Sequence, residues 1–436
     1  MNYKTAVALL LTTSLSAGEL SLEQVIDISL KNNPNIKYSS ASSEQASSKI
    51  TQSNSAYLPQ VTLNGNYAHN NLSFDTENPT TLEAYSFRND ASSAGVGASA
   101  SQLIYDFGKT TGVIKSTKDN FNASKEALNN SKATIILNAH TAYYDSLKTF
   151  QLIAVKKEML AISDQQLYRV REYFKAGVRT KIDVTDAMIE KSNAQLDLLK
   201  ATNSYLLSRI ELNNVMGKMS DVSSFTLKGA NLKYNALVEQ LPLLSSSIDA
   251  MIDQAREQRS TIKESKFLLN SASSSLGATK GEYLPTIAGS ADMKKTFNDS
   301  HFNTWSAGVY LQWDIFSGFN TEGKVQEANS NILKATASLN EQILSVTTDV
   351  SKAFVSATQN LQALKISYQN IDLAAENLEL ANERYKNDLS DIVEFNSAKV
   401  KFSSSKTTFV TTYYDYLSDI ANLKFATGEF GTNEYK

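Results

Sequence analysis

Two long stretches of this chain contain almost nothing that can stop a helix. Between Gly112 and Gly217 the sole glycine is Gly177, and between Gly323 and Gly428 there is none. No proline lies between Pro79 and Pro242, or after Pro285. Glycine and proline are the residues that break helices, through backbone entropy and a missing N–H. A helix from about Lys109 to Phe174 would run roughly 100 Å at 1.5 Å per residue. No compact domain takes such a rod as an interior element.

The chain also repeats itself. Ile36-Lys37, Ser39, Ala46-Ser47-Ser48 and Tyr57-Leu58-Pro59 recur at Ile262-Lys263, Ser265, Ala272-Ser273-Ser274 and Tyr283-Leu284-Pro285, always 226 positions on (262 minus 36). Asp106 matches Asp314 (offset 208), and Leu212 with Gly217 matches Leu423 with Gly428 (offset 211). Fixed-period similarity is the mark of a duplicated unit. Each copy reads helix, strand hairpin, very long helix, tight turn, long helix. The first copy spans 18–217, with strands at about 60–74 and 92–106 and helices at about 109–174 and 180–216. A linker, 218–243, leads to the second copy, 244–428, with strands at about 286–297 and 303–316 and helices at about 319–386 and 390–427. A tail, 429–436, follows. The polar run Asn71 to Asp90, which contains Pro79, reads as the loop of the longer hairpin.

Apolar residues recur every seven positions in the proposed rods. Ile343, Val350, Ala357, Leu364, Ile371, Leu378 and Tyr385 form one register, and Leu339, Val346, Ala353, Ala374 and Ala381 a second, interrupted by Asn360 and Ser367. Phe395, Phe402, Phe409, Tyr416 and Leu423 continue the pattern on the returning helix, and Ile153, Leu160, Leu167 and Phe174 predict a seam in the first copy. A sustained heptad keeps one stripe facing a partner helix.

The strand segments follow another rule. Trp305, Ala307, Val309, Leu311, Trp313 and Ile315 alternate with Ser306, Gly308, Gln312 and Asp314. Val61, Leu63 and Tyr67 alternate with Thr62, Asn64 and Asn66; Ile287, Ala291 and Met293 do so weakly, and Ala94 to Tyr105 is rich in small residues. Such alternation suits a strand with lipid on one face and water on the other. Within Ala94–Tyr105, Gly95-Val96-Gly97-Ala98-Ser99-Ala100 mimics a dinucleotide loop but lacks the preceding buried strand and the acidic ribose partner. Four strands cannot close a barrel, and an open sheet in hydrocarbon leaves edge groups unsatisfied. The chain must therefore oligomerise to span: two copies supply eight strands and a filled barrel, three supply twelve and room for a pore.

Composition narrows the chemistry. The chain has no cysteine and three histidines, His69, His140 and His301, which excludes disulfides, thiolate chemistry and a lipidated N-terminal cysteine. Net charge is −3, so no basic surplus points to nucleic acid. No cofactor, metal site or catalytic role is expected. Lys4, the apolar run Ala6 to Leu11 and small residues to Ala17 have the order of a secretory signal peptide, 1–17. No later run reaches the ~18 apolar residues of a spanning helix.

Taken in order, the two Tyr-Leu-Pro strand entries, Asp106-Phe107-Gly108, Tyr173-Phe174-Lys175-Ala176-Gly177-Val178 before Asp183-Val184, and the degenerate Arg384-Tyr385-Lys386-Asn387-Asp388-Leu389 before Glu394 resemble the TolC-like outer membrane efflux proteins, from about Leu20 to Gly428. The resemblance implies a homotrimer held in outer membrane lipid of a diderm bacterium. A twelve-stranded β-barrel would continue into a twelve-helix α-barrel through the periplasm. It also implies a periplasmic adaptor (membrane fusion) protein and an inner-membrane pump of RND or ABC type. The function implied is a passive exit duct for small molecules or proteins; the competing reading is a structural or adhesive coiled-coil surface protein without a pore.

The resemblance places the adaptor at the helix-to-helix turns, Ala176-Gly177-Val178 and Asn387-Asp388-Leu389. Beside them lie Asp183 with Asp186, and Asp391 with Glu394, each pair at i, i+3 on one helix face. Two readings stand: a ring of acids around the periplasmic aperture, with cation selectivity and raised pKa values, or solvated acids held by the helix dipole. The resemblance selects Glu394 on the second copy, with Ser397 where a second acid is expected. Arg179 and Lys181 stand ready to clamp the mouth, although the resemblance puts such a base where this chain has Ser390.

Overall fold

A computed structural model describes residues 19–77, 84–218, 225–229, 241–242, 247–297, 302–387 and 389–431. The signal segment 1–17, Pro79, most of the 218–243 linker, His301, Asp388 and residues 432–436 lie outside the described residues. In chain order the elements are β1 (Glu19–Leu20), α1 (Leu22–Asn32), α2 (Pro34–Asn54), β2 (Gln60–Glu77), β3 (Ala84–Tyr105), α3 (Lys109–Lys175) and α4 (Lys181–Val215). Then come β4 (Thr226–Leu227), α5 (Ile248–Gln258), α6 (Ser260–Lys280), β5 (Thr286–Phe297), β6 (Phe302–Gln312), α7 (Asn320–Lys386) and α8 (Ile392–Thr427). The chain divides into two compact units: one of Met1–Ser40, Ala127–Ile262 and Ile343–Lys436, the other of Ala41–Glu126 and Lys263–Gln342. Each unit therefore draws on both copies. Among the described residues no helix is long and apolar enough to cross a membrane.

The second unit carries an antiparallel sheet in the order β2-β3-β5-β6. Its register sorts side chains by face. Leu63, Ala98, Met293 and Trp305 form one row, and Val61, Ala100, Ala291 and Ala307 the next. The opposite face carries Thr62, Ser99, Asp292 and Ser306, then Asn64, Gly97, Lys294 and Thr304. Leu63 and Trp305 stand 84 % and 81 % exposed, so the apolar face has no partner among the described residues. The small-residue run is the long strand β3, held on both sides. A Cβ at Gly97 would lie 2.6 Å from Asn64 Oδ1, so the dinucleotide-like glycines make room for asparagine side chains on the polar face.

β6 ends at Gln312, short of the expected 316. Trp313 leaves the ladder and donates Nε1–H to the Tyr283 carbonyl at 3.0 Å, and Gly318 and Phe319 take positive φ as the chain turns into α7. The repeat partners Asp106 and Asp314 also differ: Asp106 is buried and accepts from Thr110 N at 2.7 Å, whereas Ser317 Oγ accepts from Thr321 N at the start of α7. In the same unit α3 meets α6 closely, since a Cβ on Gly112 would lie 2.8 Å from Ala278.

In the first unit most positions of the second-copy heptads are buried, with Ile343, Ala353 and Leu378 half-buried. Val350, Ala357, Leu364, Ile371 and Tyr385 of α7, and Phe395, Phe402, Phe409, Tyr416 and Leu423 of α8, are all below one-tenth exposed. Asn360, the interruption, donates Nδ2–H to Asp419 at 2.6 Å. The first-copy seam differs from expectation: Leu167 is buried, Ile153 and Leu160 are half-buried, and Phe174 is exposed. The buried line there runs through Val155, Met159, Ser163, Gln166 and Val170. Polar members hide it from a search for apolar periodicity.

The ends of α4 and α8 repeat one device. Gly217 (φ 66) and Gly428 (φ 87) leave less than 3 Å for a Cβ, against Asn32 and against Arg259 N respectively. Asn33 Nδ2 donates to Val215 O at 3.0 Å, and its repeat partner Arg259 donates to Phe425 O with its guanidinium 3.8 Å from the Phe425 ring. Left-handed glycine lets backbone approach backbone where any side chain would intervene.

Candidate functional site: the helix tips and the open seams

The α3–α4 turn closes as a Schellman motif. Val178 N donates to Tyr173 O at 2.9 Å and Gly177 N to Phe174 O at 3.0 Å, with Gly177 at φ 77. Ala176, Gly177 and Val178 are exposed. In the second turn Leu389 N donates to Arg384 O at 2.9 Å, and Asn387 and Leu389 are exposed.

Each returning helix opens on a cap built from the expected acids. Thr180 caps α4, and the Asp183 carboxylate accepts from Thr180 N at 2.7 Å and Thr180 Oγ1 at 2.8 Å. The Thr180 hydrogen bonds hold the Asp183 carboxyl below the usual range, helped by the Arg179 charge. Asp391 caps α8, its Oδ1 accepting from Glu394 N at 3.0 Å. Glu394 pairs with Arg384 Nε at 3.2 Å, and Arg384 also donates to Leu389 O. The two acid pairs are therefore not repeat equivalents: Asp391 takes the place of Thr180, and Glu394 that of Asp183. Asp186 is exposed.

The Arg179 guanidinium lies 4.9 Å from the Tyr385 ring, which is buried against Phe395. Burial pushes the Tyr385 hydroxyl pKa up. The Lys181 ammonium lies over Phe174, at 5.9 Å. Ser390 Oγ is buried without a hydrogen bond.

Other residues join the first-copy hairpin to the second. Lys399, 7 % exposed, reaches Glu190 at 2.8 Å and Ser163 Oγ at 3.3 Å. Arg169 Nη1 donates to Asn382 Oδ1 at 2.9 Å, and Lys406 pairs with Glu158 at 2.6 Å. A charge this buried requires its partner, because removing one member strands the other. Sequence spacing carries no sign of these links, since each joins positions more than two hundred residues apart. Arg384 was visible as a basic residue in the turn but not as the partner of Glu394.

A second surface is legible only with burial in hand. Along α4, Ile182, Ile189, Leu196 and Ile210 sit on one seven-residue register, with Asn203 in the gap, and are 72, 53, 48 and 42 % exposed. On α7, Ile366, Leu373 and Leu380 form a further exposed register beside the buried one. Among the described residues these are heptad seams without a partner helix.

The geometry now has relatives. A family model described as outer membrane efflux protein matches residues 25–218 and 251–429. Outer membrane protein TolC of Escherichia coli K12 is 22 % identical over 433 residues, covering 95 % of this chain and 83 % of that protein. Outer membrane efflux protein BepC of Brucella suis is 25 % identical over 372 residues, covering 83 % and 75 %. The crystal structure of the outer membrane protein VceC from Vibrio cholerae superposes with a TM-score of 0.77 at 15 % identity, over 93 % of this chain and 96 % of that one. A duplicated strand-and-long-helix plan, a sheet with one apolar face, and a family match across both copies place this chain in the outer membrane efflux protein family.

Proposed function

We propose that three copies of this chain assemble into the exit duct of an efflux or secretion pump, passing cargo across the outer membrane without catalysis. The observation that carries this reading is the four-stranded sheet, apolar on one face and unpaired along both β2 and β6 among the described residues. Each unpaired backbone group in hydrocarbon costs several kcal/mol, and a ring of strands from several copies removes both edges. Three copies give twelve strands, enough for an aqueous bore lined by the face of Asn64, Ser99, Asp292 and Lys294. The open seams of α4 and α7 call for the same neighbours. Native mass and heat-modifiable migration in detergent test the assembly; a monomer at all concentrations sinks it.

The energy comes from elsewhere. An inner-membrane pump of RND or ABC type, coupled through a periplasmic adaptor (membrane fusion) protein, fits a duct with no nucleotide site of its own. The turns Ala176-Gly177-Val178 and Asn387-Asp388-Leu389 are the docking tips in this reading. Asp391, Glu394, Asp183 and Asp186 are its aperture acids, with Arg179 beside them. The Arg384–Glu394 pair sharpens the test. Arg384→Ala should raise cation selectivity of bilayer conductance, and Asp391→Ala with Glu394→Ala should lower it. Unchanged selectivity in both removes the aperture assignment.

A further inference from the structure

Where the sheet meets the rods, the chain holds aromatic rings out into open space. The apolar face continues through Val309 and Leu311 of β6, and Ile287 carries it across to Tyr105 of β3. Beyond the ladder Trp313, Ile315 and Phe316 are exposed. Two further rings sit on left-handed backbone: Phe107 at φ 52 and Phe319 at φ 66, 41 % and 71 % exposed. A bulky residue rarely takes that conformation, because its Cβ crowds the following carbonyl. Phe107 meets the Tyr105 ring edge-on at 4.7 Å and Phe319 the Phe316 ring at 5.6 Å, yet the chain buries neither pair. Contact with an apolar phase outside the chain would offset the strain, and aromatic rings collect where such a phase meets water.

Cations stand directly beneath. Trp313 donates to the Tyr283 carbonyl, and the carboxylate of the preceding residue, Glu282, accepts from Lys324 at 2.8 Å. Lys109 reaches the other oxygen of Glu282 at only 3.9 Å. A Cβ at Gly281 would lie 3.2 Å from Lys109 Cα, so this turn is pressed against the start of α3. Two half-exposed lysines thus share one carboxylate, and Lys109 is the loosely held one. Bound to the two oxygens of one carboxylate, their ammonium groups stand within the span of a single headgroup. The other acids of the junction do not neutralise them. Asp106 is buried and engaged with Thr110 N, and Asp314 pairs with neither lysine among the described residues. Glu322, two positions before Lys324, stands about 200° away around α7.

We propose that this junction binds the headgroup of an anionic phospholipid in the leaflet on the rod side. The phosphate pairs with Lys109 and Lys324, and the acyl chains run up the apolar face over Trp313, Leu311 and Val309. Lysine stems lie along apolar surface while the ammonium stays in water, and basic clusters at a membrane boundary select anionic headgroups. A zwitterionic headgroup brings its own ammonium and meets the lysines with like charge. The site rests on the outer membrane placement alone, since every group named belongs to one chain.

The test uses the full chain in dodecyl maltoside micelles doped with phosphatidylglycerol or phosphatidylcholine, with bound lipid counted by native mass spectrometry. Wild type should bind phosphatidylglycerol at least tenfold more tightly. Lys109→Gln with Lys324→Gln should cut that preference below twofold, and Lys109→Arg with Lys324→Arg should keep it. Glu282→Gln removes the competing carboxylate and should tighten phosphatidylglycerol binding at least threefold. Lys295→Gln, on the same face toward the far end of β5, should change nothing. Melting curves establish folding, and Lys109→Gln alone replaces the glutamine pair if that pair does not fold. No preference in wild type, a preference that survives the glutamine change, or an equal loss in Lys295→Gln overturns the site. So does displacement of the lipid by glycerol phosphate at matched concentration, which marks a phosphate site indifferent to the membrane. Lipid counts do not depend on conductance, so a failed lipid site and a failed duct are told apart.

Discussion

The two long hairpins share a plan but place their apolar residues differently. In the second copy, α8 turns Phe395, Phe402, Phe409, Tyr416 and Leu423 inward, and every one is buried by its own chain. In the first copy, α4 holds Ile182, Ile189, Leu196 and Ile210 on a register broken at Asn203 and leaves them open. One seam is completed by folding and the other is open among the described residues. The two registers are not repeat equivalents: Ile182 and Ile189 correspond to Val393 and Val400, which are exposed as well, so the contrast is between two faces of the returning helices.

That division can be broken experimentally. The largest effect is expected for Ile189→Glu, which puts a charge into the open seam. The oligomer should disappear from native mass measurements while helix content stays the same. If the oligomer survives, α4 is not an assembly face. Phe409→Ala should do the reverse: Phe409 is fully buried against Tyr368 and Tyr413, and large-to-small changes at such sites cost about 3–5 kcal/mol. Its signature is a lowered melting temperature, and a change within experimental scatter would contradict the packing described.

The glycines sharpen the contrast at smaller scale. Gly428→Ala meets Arg259 N at 2.9 Å with φ at 87, whereas Gly177→Ala has φ at 77 and open space. Both pay the left-handed penalty of about 1–2 kcal/mol, and only the first adds a backbone clash. Denaturation midpoints should therefore fall further for Gly428→Ala; equal shifts would place the clash in error.

The smallest effect is a pH slope. His140 is buried, stacked on Phe430 with its Nδ1 near Ile136 O, and burial lowers its pKa below 6.5. A group that folds neutral contributes stability above its unfolded pKa and loses it as pH falls. Acid-side destabilisation should thus begin below about pH 6.5 and flatten in His140→Phe. An identical slope in both proteins would assign it to other groups.

Much of this fold can be read without coordinates. Missing glycine and proline fix where α3, α4, α7 and α8 can run, because backbone breakers act locally whatever the context. The second-copy heptads are equally plain, since Val350, Leu364 and Phe409 announce their burial by being apolar. The first-copy seam is not: Ser163 and Gln166 are buried yet polar, and periodicity searches score them as surface. β3 is hard for a related reason. Its small residues give no alternation, and only its place between β2 and β5 makes a strand of them.

The site divides along the same line. Acids just after each turn are visible in the chain, and so is the choice between aperture and cap. The caps themselves need geometry: Asp183 bound to Thr180, Asp391 bound to Glu394 N, and Glu394 held by Arg384. By itself the sequence determined the rods, the duplication and the two-faced strands, all of which follow from short-range backbone and hydrophobic rules. Only the tertiary structure decided which seam is closed and which open, that Arg179 lies on Tyr385, and that Lys399 and Gln166 are buried. Those outcomes turn on contacts between residues far apart in the chain, where neither propensity nor period carries information.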